Sequence, residues 1–392
     1  MATVIRMFRF RRRFIRVKSL EKLIREDKSM GSVLHILSGG TVGGIEVLCE
    51  GYAKYSKNKN VFVFLWNDGV IRQEMENEGA VAISLNASKR DFIRPFLRLC
   101  SICKDYQVKT VVVHHSAPIA HLYLMMLKIK YPYLKTVGYA HSHAHDMCPA
   151  EKRFLWIRKK IISCSLKSAT KVIAISNCVK DSCEAYFGTP KNKIEVVYNG
   201  VDVAQFVPTI AHQQTEKCAE LIYVGRLIEP KGVQNTLKAL ALLPKNIEYE
   251  FKIVGDGPYR NQLESLVKEK NLSNVHFLGE RRDVIELLHS AEYFIHIPEW
   301  EEGFGITIVE AMAAGMVCIC GMHGAIPEII TTEENGFLVP NDTQQIADSL
   351  ITIFNKSDEE KNMIKENARK RALDFSIQTF SERLDAILRP EE

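Results

Sequence analysis

The stretch EEGFGITIVEAMAAG, residues 301–315, sets two carboxylates around a sharp turn. Glu302 precedes Gly303-Phe304-Gly305. Glu310 follows with seven residues between, in a run that reads as a helix from about Ile306. A half-buried carboxylate costs on the order of several kcal/mol unless something binds it. Glu301 fits an exposed helix surface. Glu310 does not, because its neighbours are Ile306, Ile308, Val309, Ala313 and Ala314. Carboxylates in such a place accept hydrogen bonds from vicinal hydroxyls, as on sugars and riboses. The free N–H groups at the helix start favour an anion such as a diphosphate.

Complementary charge lies upstream. In GRLIEPKGV, Gly225 permits close backbone approach, and Arg226 and Lys231 put two cations just past an apolar run. Arginine offers a planar fork to phosphate and lysine a point charge. GGTVGGIEVL, residues 39–48, brings four glycines ahead of a helical pattern. Gly43 and Gly44 would let a ligand approach, but the segment is neither a P-loop nor a clean GxGxxG. HSHAHD carries His141, His143, His145 and Asp146 after another apolar run. Three histidines raise the possibility of zinc, yet no other His/Cys cluster supplies a fourth ligand at familiar spacing. A histidine facing a cleft, as polar contact or proton donor, is the stronger reading. Cys100 and Cys103 form a CxxC within a helical pattern and read as a buried face, with no second CxxC to suggest a metal.

These residues are positioned by short apolar runs alternating with amphipathic ones. Strands are expected at 33–38, 61–66, 81–85, 110–115, 135–140, 171–176 and 194–198, with helices at 90–106 and 151–168 among others. A polar, aperiodic stretch at 201–220 reads as a linker. Strands resume at 221–224, 250–254, 275–278, 293–297 and 317–320, and helices close the chain at 343–354, 358–373 and about 376–388. Near-continuous apolar strands separated by helices predict parallel sheets covered on both faces. The expected fold class is α/β, with two tandem Rossmann-like doubly wound domains at 30–200 and 221–375 facing a central cleft. Such sheets bind ligands beyond the carboxyl ends of their strands, where every candidate above falls.

The 392 residues carry a net charge of +5. Residues 1–29 hold ten Lys/Arg against three Asp/Glu, so the rest of the chain sums to −2. The near-neutral body argues against nucleic acid as a partner. The basic extension mixes Arg with Phe10, Phe14, Val17 and Ile24 near helical spacing, a pattern suited to an anionic membrane surface. No apolar run is long enough to span a membrane. The ten cysteines sit mostly in apolar runs and read as reduced thiols, which gives an expected cytoplasmic location, peripheral on the inner face of the membrane if the extension binds it.

GRLIEPKG, FKIVGDGP, VHFLGERRDV, the E-x7-E set and VVYNGVD, in this order and spacing, resemble the retaining GT-B glycosyltransferases of the large family-four group, over about residues 33–390. The resemblance implies transfer of a sugar from a nucleotide-sugar, a UDP- or GDP-sugar, to a saccharide or lipid-linked saccharide in surface polysaccharide biosynthesis. It implies no metal and no cofactor beyond the donor. Arg226 and Lys231 would hold the donor diphosphate, Glu302 would contact the donor sugar, and Glu310 would bind the ribose hydroxyls. The backbone of Gly303, Phe304 and Gly305 would approach sugar and phosphate. Gly225 and the loop with Gly279 and Arg282 would line the nucleotide, Gly43 and Gly44 would lie beneath the phosphate, and His141 would be the cleft histidine, with His143 the second candidate. Residues 376–392 would cross back to the first domain. Glu299 and Trp300 depart from the small polar residues of many relatives, which bears on donor choice. A nucleotide-sugar epimerase-like enzyme and an inactive GT-B scaffold subunit are the competing readings. The cations and glutamates together count against both.

Overall fold

A computed structural model describes residues 31–88, 90–114, 117–149, 154–208 and 218–389. The basic extension at 1–29 lies outside the described residues.

The first domain alternates strands β1 Ser32–Gly39, β2 Asn60–Asn67, β3 Val81–Ser84, β4 Val108–Val113, β5 Lys135–Ala140, β6 Lys171–Ala174 and β7 Ile194–Val196 with helices α1 Gly44–Tyr55, α2 Val70–Asn77, α3 Ile93–Asp105, α4 Pro118–Lys130, α5 Ala144–Met147, α6 Leu155–Ser168 and α7 Asn177–Phe187. The strands form one parallel sheet in the order β3-β2-β1-β4-β5-β6-β7. The second domain has strands β8 Cys218–Val224, β9 Glu248–Val254, β10 Val275–Gly279, β11 Tyr293–His296, β12 Val317–Gly321 and β13 Phe337–Val339, in the order β10-β9-β8-β11-β12-β13, again parallel. Its helices are α8 Val233–Leu240, α9 Arg260–Glu269, α10 Val284–His289, α11 Ile306–Ala314, α12 Ile326–Ile329, α13 Thr343–Phe354, α14 Asp358–Ala372 and α15 Ile377–Leu388.

Central strands are buried on both faces because helices cover both. Val33, Leu34, Ile36 and Leu37 of β1 have no exposed surface, and the run is broken by the equally buried His35, the near-continuous apolar pattern of a strand covered on both faces. The sequence-based strand ends shift where a polar residue has another partner. β6 stops at Ala174, and Ser176, expected within it, instead caps α7 by accepting from the Val179 amide. β13 was not expected at all. Only three residues long, between Gly336 and Pro340, it carries no period of its own and is defined by pairing with β12. The stretch expected as a linker carries a 3-10 turn at Val203–Phe206, and β8 opens three residues ahead of its expected start.

Both sheets reverse strand order at their centre, β1 beside β4 and β8 beside β11. A crevice opens at such a reversal. The domains are held together by a shared apolar cluster running from Val137 and Val172 through Phe304 and Phe375 to Phe294 and Cys318. α15 crosses to the first domain, where Phe380 meets the Tyr52 ring edge-on at 6.1 Å.

Candidate active site

The second-domain half of the site gathers at the β8/β11 reversal. Arg226 follows β8 and is exposed, with no ion pair among the described residues. Lys231 ends a 3-10 turn, Glu229–Lys231, that leads into α8. Gly232 sets the height of this turn. Its φ is +73°, and a Cβ there would lie 1.8 Å from the Ile297 carbonyl oxygen, so only glycine lets the turn lie directly on the end of β11. Lys231 Nζ thereby reaches Glu302 Oε2 at 2.6 Å, and His296 Nε2, at the end of β11, stands 3.1 Å from the same oxygen. Lys231 also lies 5.4 Å from the centre of the Trp300 ring.

The two glutamates occupy opposite electrostatic settings. Burial pushes the Glu302 carboxyl up, but the His296 hydrogen bond and the Lys231 charge outweigh it and hold the group at about 2. Burial lowers His296, so this ring stays neutral and donates from Nε2. Glu310 sits on the second turn of α11, and burial raises it to about 7. No hydrogen bond or ion pair joins it to a described residue. The Gly305 N-cap of α11 has φ +95° and no side chain caps the helix, so the first amides remain open to a ligand. The pair thus offers one fixed charge and one carboxyl with no partner among the described residues, both beside an open helix N-terminus.

The first-domain half comes from the ends of β1, β4 and β5. Gly43 caps α1 with extended backbone and no side-chain cap, and the Cβ direction of Gly44 meets nothing within 4 Å. His141 follows β5, and its ring stacks on Tyr139 at 4.0 Å. His141 Nε2 pairs with His114 Nδ1 at 3.0 Å. His143 caps the short α5, its ring stacked on His145 at 5.4 Å. The histidines therefore separate, and among the described residues no group of three His, Cys, Asp or Glu is placed to hold a metal ion. The halves meet where a Cβ on Gly303 would lie 3.7 Å from Ser142 Cα and 3.9 Å from the His141 carbonyl oxygen. Asp146 lies within the field of Glu302 and Lys231. Burial raises its carboxyl, and Glu302 adds to the rise.

Other sequence candidates are placed farther out. Phe304 is 2% exposed and packs on Tyr198 and Phe375, so its side chain belongs to the domain contact and only its backbone stays with the turn. Gly279 closes β10 with φ +70°, its carbonyl accepting from the Gly255 amide at 2.8 Å, and Arg282 is exposed beyond it. Glu299 accepts from Gln234 and Asn235 at 2.9 Å, bracing α8. Sequence reasoning missed His296. It is the last residue of β11, six before Glu302, and a polar residue ending an apolar strand was the available signal.

Two family models match in succession, "Glycosyltransferase Family 4" over residues 42–205 and "Glycosyl transferases group 1" over 210–371. The N-acetyl-alpha-D-glucosaminyl L-malate synthase of Bacillus anthracis is 31% identical over 44% of this chain and 48% of its own. The putative glycosyltransferase EpsF of Bacillus subtilis is 27% identical over 75% and 79%. The chain spans about half the length of the first curated relatives it matches. In fold it is similar to Anabaena HepE, solved with UDP and glucose, at a TM-score of 0.77 and 20% identity, covering 91% of this chain and 99% of that one. Two parallel α/β domains, a cleft between their reversal points and two consecutive family matches together establish that the chain belongs to the group 1 glycosyltransferases of GT-B fold.

Proposed function

We propose that the protein transfers a sugar from a nucleotide-sugar to a saccharide or lipid-linked saccharide, with retention of configuration at the anomeric carbon, in surface polysaccharide synthesis. The observation that carries this reading is the Lys231–Glu302 pair at 2.6 Å, set beside exposed Arg226 and the open N-terminus of α11 at the reversal of the second sheet. The relatives support the same class of donor. HepE is named with UDP and glucose, and one relative is named a synthase of a glucosaminyl malate.

In this reading Arg226, Lys231 and the α11 amides offset the charge of the leaving diphosphate. Electrostatic help of this kind acts where charge develops during reaction. Glu302, held ionised, accepts hydrogen bonds from donor-sugar hydroxyls, and Glu310 takes the ribose diol. His141 contributes from the opposite wall. The Gly43–Gly44 start of α1 lies under the phosphate, and Gly225, Gly279 and Arg282 flank the nucleotide. Neither glutamate acts as a covalent nucleophile. UDP- or GDP-sugar is the donor, cationic side chains do the work a metal does elsewhere, and no separate cofactor is used. Residues 1–29 hold the enzyme at an anionic membrane surface on the cytoplasmic side.

The test is incubation with UDP- and GDP-sugars and lipid-linked or free saccharide acceptors, with release of nucleoside diphosphate followed and the product's anomeric configuration read by NMR. The expected result is one active donor and a retained configuration. Arg226→Ala should lower turnover about 100-fold or more. Product of inverted configuration, or turnover unaffected by loss of Arg226, would contradict the reading.

A further inference from the structure

The two faces of the first sheet carry helices of opposite charge. Strand alternation sorts those helices. Val33 and Leu37 of β1 share an apolar cluster with Leu48 and Tyr52 of α1 and Met75 of α2. Leu34 and Ile36 share another with Leu99 of α3 and Tyr123 and Leu127 of α4. α6 lies on the α3–α4 side. Ile36 aligns with Val113 and Val113 with Gly138, and a Cβ on Gly138 would lie 2.5 Å from Leu166 of α6. The three helices pack side by side. The Tyr123 hydroxyl donates to the Phe92 carbonyl at 3.1 Å, and His121 Nδ1 meets Ser165 Oγ at 3.0 Å. α1 and α2 together hold two basic residues against four acidic ones. α3, α4 and α6 hold nine against one: three in α3 beside Asp105, two in α4 and four in α6.

The outer surface of these helices sets large apolar side chains among the cations. On α3, Pro95, Leu99, Ile102 and Cys103 are buried, which turns Ile93, Arg94, Leu97 and Arg98 outward. Ile93 is 67% and Leu97 56% exposed. On α6, Trp156 is 68% exposed, with Ile157 beside it and Lys160 one turn on. Near the end of α4, Ile129 and Lys130 are both exposed. Among the described residues, Arg94 is the one member of the nine with an ion pair, to Asp91 at 3.5 Å. The patch ends at α7, which meets α6 through the Ser163 hydroxyl and the Phe187 carbonyl, and whose Lys180 is outweighed by Asp181 and Glu184. A solvated helix face needs neither a single sign of charge nor an exposed tryptophan. A bilayer surface uses both: cations meet headgroup phosphates, and an indole ring sits at the headgroup level.

We propose that the outer face of α3, α4 and α6 docks on a membrane surface of anionic phospholipids, independently of residues 1–29. Arg94, Arg98 and Lys160 meet the phosphates, while Ile93, Leu97 and Trp156 enter the boundary between headgroups and acyl chains. Duplex nucleic acid is the other polyanion that this charge could take, but it offers the apolar side chains nothing to enter. Each helix follows a strand and starts at its carboxyl end. Ile93 and Trp156, in the first turns of α3 and α6, therefore lie at the end of the sheet where the cleft opens. A bilayer on this face borders the cleft on its first-domain side. The docking does not depend on the transfer reading, and it is measured without a donor.

Trp156 reports on this face directly. Residues 1–29 hold no tryptophan, and Trp156→Phe separates its signal from those of Trp66 and Trp300. The full chain is mixed with vesicles of phosphatidylcholine alone, and of equal parts phosphatidylcholine and phosphatidylglycerol. With the second, emission should shift to the blue and be quenched by bromine-labelled lipid, and Trp156→Phe should lose both changes. Arg94→Gln, Arg98→Gln and Lys160→Gln combined should weaken partition about 100-fold, at roughly fivefold per charge. An unchanged melting temperature in both variants reports an intact fold. Partition without a Trp156 response would mean that the extension docks by itself, and would overturn the proposal. No partition, or equal partition onto phosphatidylcholine alone, would overturn it as well. So would a Trp156 shift as large with duplex DNA at the same phosphate concentration, which would assign the face to nucleic acid.

Discussion

At the scale of single residues, the site is built from two carboxyls driven apart by their surroundings. Pairs of titratable groups pushed in opposite directions mark division of labour. Glu302 is charged and held, whereas Glu310 is half-buried, has no hydrogen bond or ion pair among the described residues, and is raised by desolvation to about 7. Glu310 therefore makes a pH prediction. Below about 4.5 both folded and unfolded chains keep this proton. From there to about 7 the unfolded chain loses it first, and above 7 the folded chain carries a buried charge. Stability relative to Glu310→Gln is thus lost as pH rises through that window, by on the order of 3 kcal/mol. Glu310→Gln should melt several degrees above wild type at pH 8, with the gap closing toward pH 5, and should bind nucleotide about tenfold more weakly. A melting gap independent of pH would contradict the assignment. Lys231→Ala leaves Glu302 with His296 alone among the described residues, and should cost about 1–3 kcal/mol in denaturant unfolding.

At the scale of elements, turns decide where these groups land. Gly232→Ala would force a Cβ into the Ile297 carbonyl at 1.8 Å from a φ of +73°. It should destabilise by about 3 kcal/mol or more and abolish nucleotide binding even in the fraction that folds, a result that calorimetry with titration would show. The same scale explains what the sequence made legible. Long apolar strands and the closing helices were readable because burial on both faces leaves unbroken runs, and because Ser357 with Glu360 writes a capping box ahead of α14. The cations and glutamates were readable from their places after strands. β13 was not, since three residues have no period. Neither was the contact of His114 with His141, because one follows β4 and the other β5, and only the pairing of those strands makes them neighbours. The side chain of Phe304 was likewise unreadable, because its burial depends on Tyr198 and Phe375 from elsewhere in the chain.

At the scale of the whole molecule, the cleft depends on how the domains hold each other. Glu328, on α12, reaches across to the start of α7. Its oxygens accept from the amides of Asn177 and Cys178 and from the Asn177 side chain, all at 2.8 Å, and from the Tyr198 hydroxyl at 2.9 Å. A carboxylate at a helix N-terminus is stabilised by both its bonds and the helix dipole. Glu328→Ala leaves those amides unmet and should loosen the domains, raising the radius of gyration in solution scattering and weakening donor binding about three- to tenfold. An unchanged radius would show that the apolar contact around Phe304 suffices. The central claim, that the β8/β11 reversal is a nucleotide-sugar diphosphate site, is tested most directly by thermal melting of wild type, Lys231→Ala and Glu310→Ala against UDP, GDP, ADP and their sugars. One nucleotide should stabilise wild type, by an amount that grows with its concentration over Kd, and should do so far less in both variants. A shift equal in all three proteins, or none with any nucleotide, would contradict the account.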